Sequence, residues 1–250
     1  MLTTLDDRNH PHPSLSRSTG RGGCAFLVVA LPPFILLAAL TGCCYLAAGP
    51  SLGLYLGGLA LGMTLTPPFV VAHVARVERV LAVGSLIDGV GVVWLVAMFR
   101  SDVTFGQWLA AYVLLAACAI GAAGLTLALS RWVGALFASA LATVIVLAWL
   151  AWPIWLSAWI DRPSVVIAIG WLVPVHPLLS LNGLLAHLGV WGEGPLMYQL
   201  TSLGQDVPYS LPSSIAICAG AHVLLGGALL LVSRAREPRA TIDEPDRHAR

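Results

Sequence analysis

Long runs of apolar residues alternate with short polar segments along this chain. The clearest case lies between residues 104 and 160, where two apolar blocks are separated by one cation, Arg131. About 20 apolar residues in a helix cross a hydrocarbon core roughly 30 Å thick. A helix that packs on a soluble core keeps one polar face, and neither block has one. The pattern therefore predicts a pair of membrane-spanning helices that turn at Arg131.

Extended to the rest of the chain, the same pattern predicts an all-α membrane bundle with six spans. The spans are expected at about residues 24–48, 52–75, 80–99, 104–130, 132–160 and 213–232. The second span is rich in glycine, which lets helices approach closely in lipid, and Pro67 and Pro68 are expected to break or kink it. Residues 1–23 have too little apolar surface to fold and are predicted to be a disordered tail, and residues 234–250 form a second tail.

The apolar segment at residues 164–190 differs from the spans because polar and helix-breaking residues interrupt it. The interrupting residues are Pro174, His176, Pro177, Asn182, Gly183 and His187. Broken backbone is tolerated at membrane depth only where protein covers it. We therefore expect a re-entrant or interfacial pair of short helices between spans five and six, followed by an extramembrane loop at residues 192–212.

The arginines predict the orientation of the bundle. With six spans, eleven arginines fall on one side of the membrane, and only Arg100 and Arg162 fall on the other. Because cytoplasmic loops carry the excess of basic residues, both termini are predicted to be cytoplasmic, in a multi-pass protein of the cell (inner) membrane. A full seventh span at residues 164–190 would place the C-terminal arginines outside, so the charge distribution favours the re-entrant interpretation.

Composition narrows the possible functions. The chain is 58% hydrophobic and 10% charged, whereas soluble domains carry about 25% charged residues. A net charge of +1 provides no basic field for nucleic acid. The chain has no lysine, which excludes an ordinary ATP-binding P-loop and Schiff-base or pyridoxal phosphate chemistry. Zinc-protease and dinucleotide motifs are also missing from the sequence, and we predict no catalytic residues, no metal site and no bound cofactor.

The cysteines allow two alternatives to simple packing. None of Cys24, Cys43, Cys44, Cys118 and Cys218 has metal-ligand or C-x-x-C spacing, and we interpret them as small apolar side chains within helices, with metal or disulfide use as the alternative. The segment Leu-Thr-Gly-Cys at residues 40–43 resembles a lipoprotein lipobox, in which Cys43 would be lipidated. Another apolar run follows at once, which favours a first span over a cleaved lipoprotein signal.

Four side chains are candidates for lining a translocation pathway. Asp88 lies near the middle of the third span, where an ionisable side chain costs about 2.5–3.5 kcal/mol, so it is either a functional carboxyl or a hydrogen-bonded one facing the bundle. His222, in the last span, is either a packing residue or a proton relay. Trp152 and Trp155 share a helical face and form either an interfacial aromatic belt or a substrate-binding wall.

The plan of residues 76–236 resembles the membrane subunit of ABC-2-type transporters. The resemblance rests on about six spans with both termini inside, on the fourth span ending in Gly-Leu-Thr-Leu-Ala-Leu-Ser-Arg at residues 124–131, and on the interrupted segment 174–187. The chain departs from the family in lacking an amphipathic helix before the first span and in the short connector at residues 73–79. The haem-exporter membrane subunit of cytochrome c maturation is a variant of this resemblance.

The resemblance implies a permease subunit without enzymatic activity of its own. Two membrane subunits, identical or homologous, would form the path, and a separate cytoplasmic ATP-binding subunit would drive it. Arg76, Glu78 and Arg79 are the first candidates for contact with that subunit, and Arg131 is the next. The rival hypotheses are an ion- or proton-coupled carrier that uses Asp88 and His222, and a structural or assembly membrane protein that transports nothing.

Overall fold

The computed structural model describes residues 52–73, 79–98, 102–156, 163–188 and 210–235. Within these ranges every regular element is a helix and none is a strand. The all-α prediction is therefore confirmed for the part of the chain that the structure describes. The predicted first span at residues 24–48, the loop at 192–212 and most of both tails lie outside the described residues.

Eight α-helices follow one another in the described ranges. The first four are α1 (Leu52–His73), α2 (Arg79–Met98), α3 (Phe105–Leu129) and α4 (Ala135–Leu150). They are followed by the one-turn helix α5 (Trp152–Trp155), by α6 (Pro163–Leu172), by α7 (Pro177–Leu184) and by α8 (Ala216–Ala235). Two 3-10 turns, Val173–Val175 and Ala186–Leu188, flank α7.

The long helix α3 lies at the centre of the bundle. Its first turn is fixed by a capping box, in which the backbone N–H of Gln107 donates to the Thr104 hydroxyl and the Gln107 side-chain oxygen accepts from the backbone N–H of Thr104 at 2.9 Å. Apolar and small residues then cover every side of the helix, so it can pack in all directions. It contacts α1, α2, α4, α7 and α8, and its most extensive contact is with α8.

Glycine allows the close contact between α3 and α8. A Cβ atom added at Gly124 would lie 2.7 Å from the Gly226 carbonyl oxygen, and one added at Gly226 would lie 2.8 Å from the Ile120 carbonyl oxygen. Two helices approach this closely only where side chains are missing from both, as is common in lipid. In the glycine-rich second run, by contrast, a Cβ at Gly57 would meet nothing within 4 Å.

Two or three helical segments have the length and composition to cross a membrane. Residues Phe105–Leu129 and Ala216–Ser233 qualify as single helices. Val166–Val175 and Pro177–Leu184 qualify only together, as a pair bent by 70°. This bend agrees with the interruption predicted for residues 164–190. Membrane association is thus supported by the described helices, while the count of six spans and the side of each terminus stay predictions.

Of the break or kink predicted at Pro67 and Pro68, the break does not occur, while the kink stays a prediction. Helix α1 includes both prolines and continues to His73. Both side chains are buried against neighbouring helices. A proline within a membrane helix is tolerated where the surrounding protein holds the freed backbone in place, and this packing outweighs the local preference for a break.

The helix predicted for the fifth span, residues 132–160, is interrupted within the described residues. Helix α4 ends at Leu150, and α5 begins after Ala151, which has φ −96° and ψ 8°. Pro153 is the cause, because proline has no amide hydrogen for the helical ladder and its ring collides with the carbonyl four residues earlier. The 16 residues of α4 are roughly 24 Å long, less than the hydrocarbon core. The turn predicted at Arg131 is confirmed by the interruption between α3 and α4.

A pair of adjacent glycines in α8 tests the close contact with α3. We expect Gly226→Ala to lower the free energy of unfolding by about 1–2 kcal/mol, because the new methyl group meets the backbone of α3. Gly227→Ala is the matched control, because a Cβ there meets nothing within 4 Å. It is expected to be neutral or slightly stabilising, since alanine favours helix. Thermal unfolding in detergent measures both, and equal effects of the two substitutions would contradict the proposed packing.

Candidate functional site

A buried histidine joins the end of α4 to the start of α7. His176 is fully buried and is the N-cap residue of α7, where its Nδ1 atom accepts a hydrogen bond from the Leu179 N–H at 3.4 Å. Because Nδ1 is an acceptor, the neutral ring carries its proton on Nε2, which donates to the Leu150 carbonyl oxygen at 3.2 Å. The histidine therefore satisfies polar backbone groups at the ends of two helices.

Two tryptophans enclose this histidine. The ring centroid of Trp149 lies 5.9 Å from that of His176, and Trp152 packs edge-on at 5.8 Å. Trp152 is buried, whereas Trp155 is 55% exposed and its indole N–H donates to the Ala148 carbonyl oxygen at 2.8 Å. The two candidate pathway tryptophans thus do not present one aromatic surface.

Helix α8 contributes a second histidine beside the same junction. The Cys218 thiol donates to the Val175 carbonyl oxygen at 3.1 Å, which ties α8 to the 3-10 turn before α7. One turn later, His222 Nδ1 lies 2.8 Å from the Cys218 carbonyl oxygen. A carbonyl oxygen can only accept, so Nδ1 carries the proton of the neutral ring and Nε2 keeps a free lone pair.

These elements surround a cavity of about 380 Å³ within the single chain. Its walls come from α1, α3, α4, the α6–α7 junction and α8. The lining residues are Thr64, Cys118, Gly121, Ala122, Leu125, Ile145, Val146, Trp149, Val175, Pro177, Ala221, His222 and Leu225. All but three of these residues are apolar, so the cavity has the composition of a site for an apolar ligand.

Of the three polar liners, His222 offers the strongest acceptor to a ligand. The Thr64 hydroxyl donates to the Ala60 carbonyl oxygen of its own helix at 2.8 Å. The thiol of Cys118 is buried and free, and a thiol is a weak donor and a weak acceptor. The Nε2 atom of His222 is therefore the strongest acceptor of the cavity wall.

Asp88 lies away from this cavity. It is exposed on α2 and forms a side-chain hydrogen bond with Tyr112 of α3. Gly91 makes room for this tyrosine, because a Cβ there would lie 2.8 Å from Tyr112 Cε2. The structure thus places Asp88 on the outer face of the described bundle and His222 inside it, so the two residues do not share one site.

Two of the four charged candidates for contact with an ATPase lie at the ends of helices in the described residues. Arg79 is the first residue of α2, and Arg131 lies exposed in the turn after α3. Arg76 and Glu78 lie outside the described residues.

The metal alternative finds no support in the described ranges. His187, the other histidine of the interrupted segment, is exposed and its ring Nε2 lies 3.0 Å from the Gln107 amide nitrogen. In the described ranges no group of three or more His, Cys, Asp or Glu side chains is arranged to hold a metal ion.

The sequence analysis did not predict the cavity, although the sequence contains one pattern that points to it. Cys118, Gly121, Ala122 and Leu125 recur at helical spacing along one face of the fourth apolar run. That face carries mostly small side chains opposite a span that carries His222. The periodicity could have indicated a narrow helix face, but not the gap that other helices leave beside it.

The two histidines of the interrupted segment test the role of His176. We expect His176→Ala to destabilise the protein by about 2–4 kcal/mol, because it removes a helix cap and leaves a buried carbonyl without that donor. His176→Asn is expected to destabilise the protein by less than His176→Ala does, because asparagine also caps helices but is too short to reach Leu150. His187→Ala, on the surface, should change stability by less than about 0.5 kcal/mol. Thermal unfolding in detergent provides the measurement. An unchanged stability of His176→Ala would show that the cap is dispensable.

No family model, no curated protein and no solved structure matches this chain.

Proposed function

We propose that this chain is the permease subunit of an ABC-2-type transporter. It would cross the cell (inner) membrane six times, with a re-entrant segment between spans five and six and with both termini in the cytoplasm. A second membrane subunit, identical or homologous, would complete the translocation path. A separate cytoplasmic subunit would bind and hydrolyse ATP, because a chain without lysine has no P-loop of its own.

The observation that carries the proposal is the bent helix pair between the fifth and last apolar runs. Its two arms meet at 70°, and the second arm is buried through Leu178, Leu179 and Leu181. Contacts with α3 and α8 cover the broken backbone, as membrane depth requires. A short, protein-covered helix pair at this place in the chain is the third feature of the resemblance to ABC-2 permeases.

The central position of α3 suggests how a partner could move the bundle. The turn with Arg131 directly follows α3, and α3 contacts five other helices. A subunit that pushes on this turn would therefore act on the whole described bundle through one rigid element. Arg79, at the start of α2, would add a second point of contact on the same predicted cytoplasmic side.

Affinity purification in mild detergent tests the proposal. We expect an ATP-hydrolysing protein to co-purify with the full chain. The double substitution Arg76→Glu and Arg79→Glu should reduce its recovery about tenfold, because reversed charges repel a complementary surface. Arg247→Glu with Arg250→Glu, in the C-terminal tail, is the matched control. A lone oligomer without ATP hydrolysis, from the unmodified chain, would contradict the proposal.

One observation favours a second candidate function, an ion- or proton-coupled carrier. Asp88 combines exposure at the middle of α2 with a hydrogen bond to Tyr112, and an intramembrane carboxyl is a typical proton site. Its position outside the cavity favours the permease, because a carrier would couple the carboxyl to its substrate at close range.

The two candidate functions predict different results for Asp88→Asn. If the permease proposal is correct, this substitution changes the ATP hydrolysis of the co-purified complex by less than about twofold, because asparagine keeps the shape and an acceptor for Tyr112. Purified protein alone should then leave a proton gradient across vesicles intact. The carrier is favoured instead if the chain dissipates that gradient without ATP, and if Asp88→Asn stops this while Asp102→Asn, at an exposed position, does not.

A further inference from the structure

The cavity is large enough to bind a small molecule. Small-molecule sites have volumes of roughly 300–1,000 Å³, and an apolar cavity of about 150 Å³ already holds benzene. The cavity of about 380 Å³ is thus large enough for more than one ring or for a folded alkyl chain. If it were empty, its walls would lose dispersion contacts, and water would find too few hydrogen bonds to fill it. An apolar molecule is the occupant that removes both penalties.

The rim of the cavity indicates where such a molecule enters. Ile145 of α4 and Leu225 of α8 both line the cavity, and they are 41% and 54% exposed. Helices α4 and α8 each pack on α3, and an opening between these two exposed residues would lead out of the cavity. Because α3 and α8 are candidate membrane spans, such an opening would face hydrocarbon. Entry is therefore lateral, from the bilayer.

One polar atom in the wall selects the chemistry of the occupant. His222 Nδ1 donates to the Cys218 carbonyl oxygen, so Nε2 is left as an acceptor. The ring edge that carries Nε2 faces α3, where the adjacent atom Cδ2 would lie 3.5 Å from a Cβ at Gly121. Among the described residues, none forms a hydrogen bond with Nε2. A ligand hydroxyl would satisfy this atom by donating to it.

We propose that the cavity binds one apolar molecule with a hydroxyl group, drawn sideways from the lipid bilayer, and that the hydroxyl donates to His222 Nε2. The site lies within one chain, so it differs from a path formed between two membrane subunits. Binding there needs neither ATP nor the ATPase, and it goes beyond the proposed permease function.

The test uses purified full-length protein in lipid nanodiscs of phosphatidylethanolamine and phosphatidylglycerol. The probes are a diazirine-bearing fatty alcohol and its methyl ether, which has the same chain but no hydroxyl proton. After illumination, mass spectrometry maps the labelled peptides. We expect saturable labelling on α3, α4 and α8, with the alcohol binding roughly three to ten times more tightly than the ether.

Three substitutions make the test specific. Ala221→Phe fills the cavity from α8 and should abolish saturable labelling, and Ile145→Trp fills it from the opposite wall with the same result. Ala228→Phe places the same new ring at an exposed position of α8 and should leave labelling unchanged. His222→Phe keeps a flat ring without the acceptor, so the alcohol should lose its advantage and bind as the ether does. Thermal unfolding of each variant shows which of them are folded.

Every outcome decides the proposal. Labelling that persists in folded Ala221→Phe and Ile145→Trp, or that maps outside the cavity walls, overturns it. An alcohol and an ether of equal affinity in the unmodified chain overturn the assignment of a hydroxyl-bearing ligand. The ATPase purification is a separate experiment, so binding without a co-purifying ATPase would reject the permease alone, and the opposite result would reject the cavity ligand alone.

Discussion

The close contact between α3 and α8 is the constraint on which the described bundle depends. Gly124 and Gly226 have no side chains, and this brings the two backbones together. In lipid no hydrophobic force drives helices together, so contact of this kind has to come from packing. Once α8 lies against α3, Cys218 reaches the 3-10 turn before α7, and His222 reaches the cavity. The candidate site therefore depends on the two glycines that allow α8 to pack closely on α3.

A second requirement acts wherever the helices are interrupted. An apolar environment leaves no water to satisfy broken backbone, so side chains have to do it. His176 caps α7 and binds the Leu150 carbonyl, while the Cys218 thiol binds the Val175 carbonyl. The indole of Trp155 reaches back to Ala148 in the same way. These hydrogen bonds explain how apolar segments with several prolines keep a defined backbone conformation.

The polar groups fall into two separate environments, which bears on function. Asp88 and Tyr112 meet on the outer face of α2 and α3, whereas His222 and Cys118 line the interior cavity. A carrier that coupled Asp88 to His222 would need the two side chains near each other. Their separation suits a protein in which one surface meets a partner and the interior holds an apolar ligand.

Apolar runs and prolines were enough to predict a helix, or a break in one, at almost every described position. Uninterrupted apolar composition predicted helices close to the observed bounds of α1, α2, α3 and α8, and the prolines of residues 164–190 predicted the bend. These features are local: a helix needs only its own backbone hydrogen bonds and suitable side chains, and a proline acts on its own turn.

The remaining features depend on packing between helices. This packing kept α1 helical through Pro67 and Pro68, buried Trp152 while Trp155 stayed exposed, and turned Asp88 away from the cavity. The cavity itself arises from several helices that each pack on α3 and leave a gap beside it. Because such a gap depends on distances between segments far apart in the chain, no periodicity within a single segment could predict it.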